Sequence, residues 1–61
     1  MNAKVTEKEL LYIADALGHE KYLIEQCHAA ASTLSDAELK AQAAEMEDKH
    51  RKLFSELYAL L

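Results

Sequence analysis

Apolar residues recur along two stretches of the chain at alternating spacings of three and four positions, the period of one face of an α-helix. The pattern predicts a first helix over about residues 7–32 and a second over about residues 36–60. The stripe of the first helix consists of Leu10, Ile13, Leu17, Glu20, Ile24, Cys27 and Ala31, and that of the second of Leu39, Ala43, Met46, His50, Leu53, Leu57 and Leu60. The sequence therefore predicts an all-α fold.

Both predicted helices begin with a recognisable start signal. Thr6 is followed three positions later by Glu9, and Ser35 is followed at the same distance by Glu38. In such a capping box, each side chain accepts a hydrogen bond from a backbone N–H that the helix leaves free. The connection between the helices is short, so we expect them to lie antiparallel as a hairpin.

The apolar stripes are wider than one partner helix can cover. The first helix is widened by Ala16, Leu23 and Ala30. On the second helix a further stripe overlaps the first and consists of Ala43, Glu47, His50, Phe54, Leu57 and Leu61. The simplest arrangement that covers both faces is a homodimer in which two hairpins form a four-helix bundle through an isologous interface.

Composition supports this interpretation. The chain has 61 residues, with one glycine and no proline, which favours helix throughout. A chain of this size builds only a small core and usually needs a disulfide, a metal or a partner. A single cysteine excludes a disulfide within the chain, so metal binding and oligomerisation are the remaining ways to stabilise it.

The net charge and the hydropathy of the chain restrict the kinds of molecule that it can bind. A net charge of −4 argues against nucleic acid, whose phosphates require a basic surface. No apolar run approaches the ~20 residues of a membrane helix, so we expect no membrane insertion. The first residues contain no apolar stretch of a signal peptide, and a lone cysteine fits a reducing compartment. We therefore expect a cytoplasmic protein.

Three residues in the stripes are not hydrophobic: Glu20, Glu47 and His50. All three are predicted at nearly the same height in the hairpin, because they stand at similar distances from the turn. A two-fold axis through the middle of a dimer would gather four carboxylates and two imidazoles in one layer. Such a set can bind two divalent metal ions per dimer, and iron, manganese and zinc all accept these ligands.

This arrangement resembles the ferritin-like di-iron carboxylate family, which includes the rubrerythrins and bacterioferritins. In that family two helices each supply a Glu, and the other two each supply a Glu-x-x-His pair, here Glu47 and His50. The resemblance implies iron as the metal and, if the site is catalytic, a ferroxidase or peroxidase-like oxidoreductase. The chain departs from the family in having only one hairpin, so a complete site must be intermolecular. It also has Cys27 where rubrerythrin-like chains often have a tyrosine.

A narrower resemblance is to the short coat-F-type spore coat proteins. It rests on residues 9–13 and 16–21 of the first helix, and on residues 38–40 and 49–50 of the second. This resemblance implies a ferritin-like hairpin that could be associated with the spore and assemble into a larger coat or lattice.

Interpretations that involve no metal also remain open. Glu20, Glu47 and His50 could form a buried hydrogen-bonded layer that fixes the register of the dimer. The protein would then be a structural, self-assembling hairpin without catalytic activity, or a coiled-coil-like adaptor. Cys27 and His28 are the candidates for side chains that support the ligands, although Cys27 also fits as a small core residue and His28 as an exposed one.

Overall fold

The structure, a computed structural model, describes residues 4–61 as two α-helices joined by a short turn. The helices are α1 (Glu7–Thr33) and α2 (Ala37–Tyr58), and the described residues contain no strand. Contacts pair Glu20 with His50 and the later His28 with the earlier Glu47, so the helices run antiparallel. The predicted helical hairpin is confirmed, and it forms a thin rod of 46 × 14 × 10 Å.

Helix α1 begins with the predicted capping box. The backbone N–H of Glu9 donates to Thr6 Oγ1 at 3.1 Å, and the backbone N–H of Thr6 donates to Glu9 Oε1 at 3.1 Å. At the other end, the N–H of Leu34 donates to the carbonyl of Ala30 at 2.9 Å. The start of α1 is thus fixed by local chemistry that the sequence alone reveals.

Helix α2 begins one residue later than its predicted start signal. The predicted cap at Ser35 is wrong, because Asp36 is the N-cap and its Oδ1 accepts from the N–H of Leu39 at 2.9 Å. A carboxylate at this position interacts more favourably with the positive end of the helix dipole than a serine hydroxyl does. The helix ends at Tyr58, after which the N–H of Leu60 donates to the carbonyl of Leu57 in a tighter turn.

The corrected cap gives a direct test. We expect Asp36→Ala to reduce the free energy of unfolding by about 1 kcal/mol, the usual cost of losing an N-cap side chain. Ser35→Ala is the matched control, because it removes a neighbouring hydroxyl and no helix cap. Urea unfolding at one protein concentration would measure both variants. Equal losses from the two variants would contradict the assignment of the cap to Asp36.

The two helices meet along one face each, and the second of the overlapping α2 stripes forms the contact. Every member of that stripe is partly buried: Ala43, Glu47, His50, Phe54, Leu57 and Leu61. The residues that belong only to the other stripe are between 41% and 52% exposed: Leu39, Met46, Leu53 and Leu60. Among residues 4–61, Glu20 alone is buried, and no hydrophobic residue is. The described part of a single hairpin therefore has no buried apolar core.

Candidate metal centre

The centre of the hairpin holds a carboxylate–imidazole pair. Glu20, in the middle of α1, is 7% exposed, and His50 Nδ1 from α2 lies 2.7 Å from its Oε2 and 3.1 Å from its Oε1. An ionised carboxylate only accepts hydrogen bonds, so the Nδ1–H of His50 donates to it. This bond compensates the burial of Glu20 and turns the Nε2 atom of His50 away from Glu20.

The second carboxylate on the inner side, Glu47, is held by a different set of partners. Its Oε2 accepts from Arg51 Nε at 2.9 Å and from Arg51 Nη2 at 2.7 Å. Its Oε1 lies 3.2 Å from Nδ1 of His28 on α1. The hydrogen bonds from Arg51 hold the pKa of Glu47 below its ordinary value against an opposing effect of desolvation, and His28 adds to the lowering. Glu47 is therefore a carboxylate that stays charged.

The structure brings together some of the predicted ligands and separates others. Glu20 and His50 are in contact, as a metal site requires, whereas the recorded partners of Glu47 are Arg51 and His28. Within residues 4–61 there is no group of three or more His, Cys, Asp or Glu side chains placed to hold a metal. Within the described part of one chain, two of the three predicted ligands are thus in contact.

The sequence analysis did not identify Arg51 as a partner of Glu47. The signal was present, because Glu47 and Arg51 stand four positions apart, the spacing at which side chains on a helix form ion pairs. Cys27 is a partly buried free thiol. His28, expected at the edge or exposed, has a side chain that is 66% exposed and contacts Glu47.

The donor set of the central pair fits a divalent metal. The two carboxylate oxygens of Glu20 lie within 3.1 Å of His50 Nδ1, and carboxylate and imidazole are ligand types shared by iron, manganese and zinc sites. In the hairpin these atoms hydrogen-bond to one another, so a metal ion at this point would have to replace the hydrogen bond between Glu20 and His50.

Comparison with family models, with curated proteins and with solved structures finds no match to this chain. Neither helix of the described part combines the length and the apolar character that crossing a membrane would take. Any functional conclusion thus depends on the geometry of the hairpin and on the chemistry of its side chains.

Proposed function

We propose that this protein is a ferritin-like metal-binding protein, whose site is completed when two hairpins form a homodimeric four-helix bundle. The observation that supports it is the Glu20–His50 pair, because Glu20 is the one buried residue of the described range 4–61, in which no apolar residue is buried. Leucine at position 20 would complete the stripe between Leu17 and Ile24, and a buried carboxylate is costly. A ligand role gives a physical reason for a carboxylate in that place.

The proposed site contains two divalent metal ions per dimer, with Glu20 and His50 of each copy as the central ligands. Iron is the proposed metal, and manganese and zinc are the alternatives that the same ligands accept. With iron bound, the chemistry supplied would be oxidation of Fe(II) by oxygen or peroxide. Cytoplasm stays the predicted compartment.

Glu47 can join this site only by exchanging partners. Its side chain is 13% exposed and thus lies close to the inner side, but both of its oxygens are engaged, by Arg51 and by His28. Metal binding by Glu47 would have to break the hydrogen bonds from Arg51. Arg51 therefore competes with the metal for this carboxylate.

This competition predicts that Arg51→Gln raises metal affinity several-fold. Lys49→Gln is the matched control, because it removes the same charge from the same turn and its partner is Glu45, at 3.5 Å. Calorimetric titration of both variants with Mn(II) measures the difference. If Arg51→Gln binds no more tightly than Lys49→Gln, Glu47 is not a ligand.

One observation favours a second candidate function. The Glu20–His50 pair is a hydrogen bond between the two helices of one chain, as a polar layer that fixes register would be. In that case the protein is a structural, coat-type hairpin that assembles with itself. The two proposals differ in whether a metal binds at Glu20.

A thermal-shift experiment separates them. We expect Fe(II), Mn(II) or Zn(II) to raise the melting temperature of the wild type, because a ligand that binds only the folded state stabilises it. Glu20→Gln, which keeps the shape of the side chain, should lose this shift, while Glu45→Gln on the exposed face should keep it. A melting temperature that no metal raises would favour the structural alternative.

A further inference from the structure

The Glu20–His50 contact lies between two chemically different sides of the hairpin. Ile24 and Phe54, each four positions after a member of this pair, line a shallow groove together with Lys21 and Arg51. On a helix, the side chains at i−4 and i+3 lie to one side of residue i, and those at i−3 and i+4 lie to its other side. The i−4 and i+3 neighbours of Glu20 and His50 therefore lie on the other side: Ala16, Leu23, Met46 and Leu53.

This other side carries a continuous apolar surface, here called the seam face, made of Leu23, Leu39, Met46, Leu53 and Leu60. Leu39, Met46 and Leu53 of α2, and Leu60 just after its end, recur at intervals of seven, the repeat of a helix that packs along another helix. Ala16 and Ala30 flank Leu23 at the same interval and leave room for close approach of a partner helix. All five seam residues are exposed in the single hairpin, at 36% or more of their surface.

We infer that a second copy of this chain binds on the seam face, with the Glu20–His50 pairs of both copies enclosed between the hairpins. This inference rests on the dimer of the proposed function and specifies which surface forms it. The groove side includes the charged side chains Lys21, Glu25 and Arg51 beside Ile24 and Phe54, whereas the five residues that define the seam face are all apolar.

The solvent-accessible area of the hairpin indicates how much surface a partner must cover. The hairpin exposes 4804 Å². A compact monomer of this mass exposes about 4000 Å². The excess is about 800 Å², which is the area that each partner contributes to a stable interface of standard size. A second hairpin supplies an equal area of the same apolar chemistry, so the seam face is complementary to itself.

The inferred interface has a consequence for the site. Glu20 and His50 adjoin the seam face, but Glu47 stands three positions before His50, on the edge that leads to the groove. Docking would thus exclude water from the Glu20–His50 pair directly, while Glu47 would reach the site from its rim. The dimer is therefore expected to form without metal, and metal binding to require the dimer.

Two leucine-to-glutamate variants test the interface. Leu53 on the seam face is 41% exposed and Leu11 on the outer face is 70% exposed, so neither substitution buries a carboxylate between α1 and α2. Sedimentation of the metal-free protein in chelator should show that Leu53→Glu weakens the dimer at least a hundredfold, while Leu11→Glu leaves it intact. A dimer that survives Leu53→Glu, or a wild type that stays a folded monomer, overturns the inference.

Hydroxyl-radical footprinting of the wild type covers the case in which Leu53→Glu fails to fold. Met46 and Leu53 should be protected at concentrations where the dimer forms, whereas Leu11 and Tyr22 should react in proportion to their exposure. Protection of Phe54 and Ser55 instead would place the interface on the groove side and overturn the inference. Both experiments are done without metal, so a seam dimer that binds no metal would refute only the proposed metal site.

Discussion

Replacing Glu20 and His50 together by leucine is expected to abolish metal binding and, at the same time, to stabilise the metal-free protein. Replacing a buried carboxylate and its polar partner by well-packed apolar side chains is often neutral or stabilising, by up to about 4 kcal/mol. Leucine at both positions would extend the apolar stripes of α1 and α2 through the one polar layer. A gain in stability combined with a loss of binding would show that this layer serves function.

The single replacements should have the opposite effect on stability. Glu20→Leu leaves the partly buried imidazole of His50 without its partner, and the loss of such a hydrogen bond costs about 1 kcal/mol. His50→Leu leaves Glu20, the one buried carboxylate among residues 4–61, without compensation and should cost more. The two changes should therefore be strongly coupled in a double-mutant cycle measured by urea unfolding in chelator.

A second histidine–carboxylate pair on α1 provides the control for this cycle. His19 Nε2 lies 3.5 Å from Asp15 Oδ2, and both side chains are at least 76% exposed. The same cycle on Asp15 and His19 should give a coupling near zero, because exposed ion pairs contribute little. Equal couplings for the buried and the exposed pair would contradict the interpretation of the central layer.

Dilution is expected to unfold the chain. Because the described residues of one hairpin bury no hydrophobic residue, the apolar contribution to stability must come largely from association. The helical signal in circular dichroism should fall, and the melting temperature should decrease, as the protein is diluted through the dissociation constant of the dimer.

A fused tandem of two hairpins is the control for this experiment, because its two halves stay at high effective concentration. Its melting temperature should not depend on protein concentration. A wild type whose melting temperature is equally independent of concentration, while its sedimentation shows one chain, would mean that the single hairpin is stable alone.

The helices and their antiparallel packing could be predicted from the sequence because local signals determine them. The Thr6–Glu9 capping box and the stripe from Leu10 to Ala31 each follow from spacing within one helix. The spacing predicts the N-cap of α2 at Ser35, which is wrong, because two adjacent residues, Ser35 and Asp36, can both cap a helix. The choice between them depends on the backbone geometry of the turn, which spacing does not specify.

The candidate site could be predicted only in part, for a similar reason. Equal heights in the hairpin correctly place Glu20 opposite His50. Glu47 stands at a similar height, so the sequence predicts it in the same layer. Height along the hairpin does not specify toward which edge of the contact face a side chain turns. Arg51, one turn along α2, and His28 on α1 draw Glu47 to the groove edge.

The seam face shows how an ambiguous pattern is resolved by structure. The overlapping stripes of α2 share Ala43, His50 and Leu57, so periodicity alone cannot say which stripe meets α1. The structure assigns the contact to the stripe with Phe54 and Leu61, and this leaves the row from Leu39 to Leu60 for another partner. The proposed dimer rests on that division.

Native mass spectrometry of the protein purified with Fe(II) or Mn(II) tests the central proposal most directly, since one spectrum counts both chains and metal ions. The account predicts a species with two chains and two metal ions in the wild type. Glu20→Leu should give the dimer without metal. A wild-type dimer that carries no metal, or a Glu20→Leu dimer that still carries two ions, would contradict a metal site at Glu20 and His50.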